Sequence, residues 1–151
     1  MSQLLRLYVF GCAMVMAAGA FLHLAVMLGG AEWYAVIGAP RGLIAMLSQG
    51  SLRPAASCVV IASLLFVCSA YALSATGKIR RLPGLKFVLA LIALGLIGRS
   101  LILPAFAAWQ PRVLFGLCGR CEQLNAFVFL TSALCLILGG GYAVAALRPR
   151  P

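Results

Sequence analysis

Long apolar runs separated by short polar connectors are the dominant pattern of the chain. A helix needs about 20 predominantly apolar residues to cross a bilayer. Four runs are near that length, and they cover residues 4–28, 55–75, 85–103 and 124–147. Because backbone groups in lipid must hydrogen-bond within their own segment, these runs can only be helices. The pattern therefore predicts an all-α fold, a single domain over residues 1–151 that forms an integral membrane bundle of four transmembrane helices.

Glycine and proline stand at the edges of these runs. Gly29-Gly30 follows the first run, Pro54 precedes the second, and Pro104 follows the third. Proline at a helix start and glycine just past a helix end are normal, because proline lacks the N–H that interior positions use. We therefore place the ends of the predicted spans at these residues.

The composition excludes a water-soluble fold. Hydrophobic residues make up 64% of the chain and charged residues only 9%, whereas a soluble domain carries about 25% charged residues. A soluble fold of this size could not hide so much apolar surface. The chain needs lipid as its solvent.

The net charge of +10 would suggest nucleic acid in a soluble protein. Here the basic residues lie mostly in connectors, and no basic patch interleaved with aromatic residues is present. We interpret them as topology signals that meet anionic lipid headgroups, and we expect no nucleic-acid partner. The densest basic connector, residues 76–84, is predicted to be cytoplasmic, which places both chain ends in the cytoplasm.

The two connectors on the opposite, outer side are long and cover residues 29–54 and 104–123. The apolar segment 43–47 is too short to span and predicts a short helix at the interface. Aromatic side chains are enriched where lipid meets water. The residues expected in such a belt are Trp33, Tyr34 and Trp109.

Arg99 lies inside the third run, four residues before Leu103. A charge near the bilayer centre costs at least about 2.5–3.5 kcal/mol, so its guanidinium needs a partner. Two interpretations are open. Arg99 either extends toward the headgroups, or faces protein and pairs with Glu32 or Glu122. These two are the only side chains of the sequence that carry a carboxylate.

Five polar residues fall at one predicted depth near the outer ends of the spans. They predict a polar cluster at the outer mouth, which is the outer end of the helix bundle. This cluster either holds the helices together, or binds a ligand or transfers protons. A lone His in a membrane is more often a partner in helix–helix hydrogen bonds than a catalyst. The five residues are His23, Glu32, Arg99, Glu122 and Asn125.

Cys118 and Cys121 form a CxxC motif beside Arg120, at the outer start of the fourth span. A neighbouring cation favours the thiolate. A CxxC before the last of four membrane helices resembles the quinone-linked disulfide-generating families, those like vitamin K epoxide reductase and the bacterial disulfide-bond oxidase. The resemblance implies thiol–disulfide exchange by this pair with a quinone as cofactor.

The chain departs from those families in one respect. They need a second cysteine pair in the other outer connector to relay electrons, and residues 29–57 contain no cysteine. A structural disulfide in an oxidising compartment is the alternative for Cys118 and Cys121. We expect no metal site, because two thiolates are an incomplete set of zinc ligands. The remaining cysteines lie within the spans and are interpreted as small apolar packing residues: Cys12, Cys58, Cys68 and Cys135.

Two further stretches are similar to uncharacterised small bacterial inner-membrane proteins with four helices. These are residues 71–86, and His23 together with the pattern from Gly29 to Pro40. The resemblance implies a bacterial inner-membrane location and adds no activity.

Groups for catalysis are scarce. The chain has no Asp, two Glu and one His, which leaves little for general acid–base chemistry. We therefore expect a non-catalytic multi-pass protein without a cofactor. It would bind a lipid, a small apolar ligand or a partner protein at its outer mouth, the partner being another membrane protein or a second copy of the chain. The alternative is the thiol–disulfide oxidoreductase that uses Cys118 and Cys121 with a quinone.

Overall fold

The computed structural model describes residues 2–109 and 126–148. Within these ranges the chain forms helices and no strand. Four of the helices are long and apolar enough to cross a membrane, which is the architecture of a multi-pass membrane protein. This confirms the predicted all-α fold with four spanning helices. The helices are α1 (Gln3–Val26), α2 (Gly30–Val36), α3 (Arg41–Ser48), α4 (Arg53–Thr76), α5 (Leu85–Trp109) and α6 (Ala126–Leu147).

The long helices match the bilayer in length and in surface. The 24 residues of α1 extend over roughly 36 Å at 1.5 Å per residue, against a hydrocarbon core of about 30 Å. Leucines in the middle of the spans are exposed, with Leu64 at 60%, Leu94 at 70% and Leu136 at 50%. Such surface is unfavourable in water but is solvated by lipid.

Helix ends follow the predicted punctuation at α4 but not at α5. Pro54 lies in the first turn of α4, and Gly77 ends the helix with a φ of +89°, a left-handed conformation that costs glycine little. At α5 the sequence predicts an end at Pro104, yet the helix continues to Trp109. Proline removes one backbone hydrogen bond, and membrane helices tolerate this loss when their neighbours compensate for it.

The spanning helices pack as two antiparallel pairs, α1 with α4 and α5 with α6. Small residues line the α1–α4 contact, where Ala13 and Ala62 are almost completely buried. The hydroxyl of Ser69 on α4 can therefore reach α1, where it donates a 2.8 Å hydrogen bond to the carbonyl of Ala13. Close packing through small residues and interhelical hydrogen bonds is how helices associate in lipid.

The two pairs share a core in the half of the molecule that contains the α4–α5 loop. The contribution of α1 follows helical spacing (i, i+3, i+4, i+7), which turns one face toward the other helices. The hydroxyl of Tyr8 also donates a hydrogen bond across the pairs, to the carbonyl of Ile137 on α6. The buried core residues are Val9, Cys12, Ala13, Met16, Ala72, Ala75, Leu85, Leu89, Ala93, Leu138, Tyr142 and Ala145.

Hydrogen bonds from α4 fix the short α4–α5 loop. The buried hydroxyl of Ser74 donates to the carbonyl of Arg80 at 3.1 Å and accepts from the N–H of Leu82 at 3.0 Å. The hydroxyl of Tyr71 donates to the carbonyl of Pro83 at 3.2 Å. We call the end with Arg6, loop 77–84 and Arg148 the basic end, and the end with α2 and α3 the cap end.

Candidate functional site

The cap end is built from α2 and α3, which lie against the ends of α1 and α4. Tyr34 of α2 is only 2% exposed and packs with Val26, Ala39 and Cys58. Burial, with a hydrogen bond and an electrostatic interaction with the Cys58 thiol, raises the pKa of Tyr34 to about 12. The cap is therefore a packed element held to α4 by a neutral phenol.

Of the three residues predicted for an aromatic belt, two are exposed and one is buried. Trp33 is 49% exposed and Trp109 is 89% exposed, in keeping with side chains at a lipid–water interface. The expectation does not hold for Tyr34, which is buried. Neighbouring positions on a helix point to different sides, so α2 can expose Trp33 while it buries Tyr34.

Arg99 lies in the apolar span of α5, Leu85–Phe106. Its side chain is exposed at the helix surface, and its Nη1 donates a 3.0 Å hydrogen bond to the Cys135 sulfur on α6. Sulfur is a weak acceptor, and a guanidinium has five N–H donors. Within residues 2–109 and 126–148, the bond to Cys135 therefore leaves most of the hydrogen-bonding capacity of Arg99 for another acceptor.

The other members of the predicted polar cluster lie apart in the described part of the chain. The Nδ1 of His23 is 2.8 Å from the carbonyl of Gly19, in the previous turn of the same helix. Glu32 is exposed in the first turn of α2. The structure does not bring His23, Glu32 and Arg99 into one hydrogen-bonded group within residues 2–109 and 126–148. Glu122 and Asn125 lie outside the described residues.

The motif cysteines, Cys118 and Cys121, also lie outside the described residues. The cysteines of the four spans are free thiols, and all but the half-buried Cys68 are buried. Over residues 2–109 and 126–148, no three His, Cys, Asp or Glu side chains come close enough to hold a metal ion.

An apolar pocket opens at the far end of α5, on the side of Pro104 that leads to Trp109. Its volume is about 540 Å³, and its lining includes Ile102, Ala105, Phe106 and Trp109. These positions follow one helical face, since their spacing is i, i+3, i+4 and i+7. Arg99 stands three residues before Ile102 and seven before Phe106, so it lies on the same face, deeper in the span.

Sequence reasoning missed this pocket and also missed Cys135 as the partner of Arg99. The sequence predicts a helix end at Pro104, although the apolar spacing from Ile102 to Trp109 continues the pattern and indicates the longer helix. Ser132, one turn before Cys135, is buried and its hydroxyl has no hydrogen-bond partner within the described ranges. No spacing in the sequence indicates that Cys135 or Ser132 faces a polar partner.

Comparisons with known proteins add no relative. No family model, no curated protein and no solved structure matches this chain.

Proposed function

We propose that this protein is a non-catalytic membrane receptor for a small apolar ligand with an acceptor oxygen, bound between Arg99 and the pocket at the end of α5. The observation that carries the proposal is the guanidinium of Arg99 in an apolar span, bonded to the sulfur of Cys135. A cation in lipid is costly and usually marks a functional position.

Within residues 2–109 and 126–148, this guanidinium has a sulfur acceptor and no oxygen acceptor. Hydrogen bonds between a charged donor and an oxygen are shorter and roughly twice as strong as neutral ones. In an apolar surrounding such a bond gains further strength, because the local dielectric constant is low. A carboxylate or a quinone-type carbonyl would supply this acceptor.

The pocket supports an apolar body for the ligand. Its volume of about 540 Å³ lies within the range of roughly 300–1,000 Å³ that is typical for small-molecule sites. The pocket lies nearer the end of α5 than Arg99, so the acceptor oxygen of the ligand would point into the membrane. A phospholipid has the opposite order, with its headgroup at the surface, which favours a small ligand over a lipid.

We place the protein in a bacterial inner membrane with the basic end in the cytoplasm. The support is the concentration of Arg6, Lys78, Arg80, Arg81, Lys86 and Arg148 at that end, since cytoplasmic segments carry an excess of Lys and Arg. Reporter proteins inserted at Gly77 and at Gly50 should then lie on opposite sides. A reporter that is active in the periplasm when inserted at Gly77 would reverse this orientation.

Tryptophan fluorescence tests the ligand site directly. The chain has two Trp, so a Trp33→Phe background leaves Trp109, which lines the pocket, as the single reporter. The purified protein in detergent is titrated with dibromostearate, which offers a carboxylate, and separately with decylubiquinone, which offers neutral carbonyls. Both probes quench tryptophan at short range.

We expect saturable quenching by at least one probe. Arg99→Gln should weaken it roughly tenfold or more, because a hydrogen bond to a charged group contributes about 1.5–3 kcal/mol. Arg53→Gln, which removes a charge at the exposed start of α4, is the matched control and should leave the quenching curve unchanged. Quenching without saturation, or equal quenching in the wild type and Arg99→Gln, would show partition into detergent and refute the proposal.

A further inference from the structure

A second pocket lies at the basic end, between the start of α1 and the end of α4. Its volume is about 550 Å³. Both walls are well fixed, because α1 packs along α4 and the loop after Gly77 is bonded back to Ser74. The side chains that line it are Gln3, Arg6, Leu7, Phe10, Thr76 and Lys78.

The charge of this pocket is positive. Arg6 comes from α1 and Lys78 from the α4–α5 loop, so two separate elements each supply a cation. The Nζ of Lys78 lies 5.8 Å from the centre of the Phe10 ring, a cation–π contact that directs the ammonium toward α1. No acidic side chain lines the pocket among the described residues. Two cations converge here with no carboxylate from the described residues, which makes the pocket suitable for an anion.

The polar and apolar groups of the pocket are arranged in order along the helix. Gln3 and Arg6 lie in the first turns of α1, and Leu7 and Phe10 follow deeper in the span. Leu7 is 66% exposed, so its side chain is available to an acyl chain. This order, with cations at the surface and apolar groups below them, is the order of headgroup and acyl chain in a phospholipid.

We propose that the basic-end pocket binds the phosphate of an anionic phospholipid between Arg6 and Lys78, with an acyl chain lying along Leu7 and Phe10. Anionic lipids attract Lys and Arg at the cytoplasmic surface, and the pocket turns this general attraction into a defined site. The site is separate from that of Arg99, which lies in the other helix pair and toward the other end of the molecule.

Mass spectrometry of the intact lipid complex tests the proposal. The full chain in detergent is titrated with dioleoylphosphatidylglycerol, and in parallel with dioleoylphosphatidylcholine, which has no net charge. The variants are Arg6→Gln, Lys78→Gln and the double variant, and all of these positions are exposed. Lys86→Gln is the matched control, because it removes the same charge at the same end but outside this pocket.

We expect tighter binding of phosphatidylglycerol than of phosphatidylcholine. Each single variant should weaken it about fivefold, since a basic residue near an anionic surface contributes about 1 kcal/mol. The double variant should lose about 25-fold in affinity by the same reasoning, while Lys86→Gln and Arg99→Gln keep wild-type binding.

Two outcomes would overturn the proposal. One is an equal loss of phosphatidylglycerol affinity in Arg6→Gln, Lys78→Gln and Lys86→Gln, and the other is equal binding of the two lipids. Displacement of the lipid by excess inorganic phosphate would overturn it too, because the site would then serve free phosphate.

Discussion

The hydroxyl of Tyr142 on α6 donates a 2.9 Å hydrogen bond to the backbone carbonyl of Cys68 on α4. A second bond crosses the pairs in the other direction, from the Tyr8 hydroxyl on α1 to the carbonyl of Ile137 on α6. A carbonyl oxygen has two lone pairs, so it can accept such a bond and keep its bond within the helix. Through these two phenols, α6 is fixed to both helices of the other pair.

Tyr142→Phe should weaken the association of the two pairs. Tyr142 is 1% exposed, so the substitution removes a hydrogen bond in the core and leaves the ring in place. Bonds of this kind in membrane proteins contribute about 0.6 kcal/mol on average and up to about 1.7 kcal/mol. We expect the free energy of unfolding, measured by circular dichroism in mixed micelles of rising dodecyl sulfate content, to fall by that amount.

Tyr71→Phe is the matched control for this prediction. It removes the same group, but the bond of Tyr71 leads to Pro83 in the exposed loop, where water can replace it. We expect a smaller change. If Tyr71→Phe destabilised the protein more than Tyr142→Phe, the bond between α4 and α6 would not contribute as we argue.

The three consecutive glycines of α6 should differ sharply when changed to alanine. A Cβ at Gly139 would lie 2.7 Å from the Cγ1 of Ile97 on α5, and a Cβ at Gly141 would lie 2.5 Å from the sulfur of Cys12 on α1. Between them, a Cβ at Gly140 meets only the Tyr8 hydroxyl oxygen at 3.4 Å. Overpacking costs about 1–3 kcal/mol, so Gly139→Ala and Gly141→Ala should destabilise the protein and Gly140→Ala much less.

Gly95→Ala and Gly98→Ala provide the controls in the same fold. A Cβ at either position meets no atom of the described residues within 4 Å, and alanine favours a helix over glycine by up to about 1 kcal/mol. Both variants should unfold no more easily than the wild type in the same assay. Equal destabilisation by all five substitutions would mean that glycine serves flexibility in α5 and α6 rather than close packing.

The spans could be predicted because their signal lies in each segment alone. Twenty consecutive apolar residues specify a membrane helix whatever they pack against, and the predicted run 55–75 falls inside α4. The same holds for the short helix α3, which follows from the apolar segment 43–47. The continuation of α5 beyond Pro104 was missed because proline is a strong signal for a helix end in soluble proteins and a weaker one in membrane helices.

The candidate site was predictable only in part, because partners across helices depend on rotation about each helix axis. Sequence position gives the depth of Arg99, but it does not tell whether Cys135 or a carboxylate faces it. Depth likewise grouped His23 with Arg99, although His23 contacts its own helix at Gly19. In a membrane all faces of a helix are apolar, so the periodicity that reveals the buried face of a soluble helix is weak here.

The cap should loosen at high pH because of Tyr34. The ordinary pKa of tyrosine is near 10, and that of Tyr34 is raised to about 12 by burial. Below pH 10 the phenol is neutral in both states, so its contribution to stability is complete. Between the unfolded pKa near 10 and the folded pKa of about 12, the Tyr34 phenol ionises in the unfolded chain but stays neutral in the folded protein. The stability of the cap therefore falls as the pH rises toward the folded pKa.

Tyrosinate absorbance measures this effect. The difference between the titration curves of the wild type and Tyr34→Phe isolates the one phenol, and its midpoint should lie near pH 12. In denaturant the same difference should move to the ordinary value of about 10. A midpoint near 10 in the folded protein would show that Tyr34 is open to water and that the cap is not packed over Cys58.

The cysteine pair Cys118 and Cys121 should be oxidised in cells and should not catalyse the oxidation of other thiols. A quinone-linked enzyme needs a second thiol pair to pass electrons, and residues 29–57 supply none. The next cysteine, Cys58, is 3% exposed and is covered by Tyr34, so it cannot take that role.

We expect thiol labelling in cells to find the pair blocked with or without quinone, and the purified protein to leave an added dithiol reduced. Cys58→Ala should change neither result. Quinone-dependent oxidation of the dithiol that is lost in Cys118→Ala would instead establish the oxidoreductase, and Arg99 would then have to be reconsidered as a group that orients the quinone.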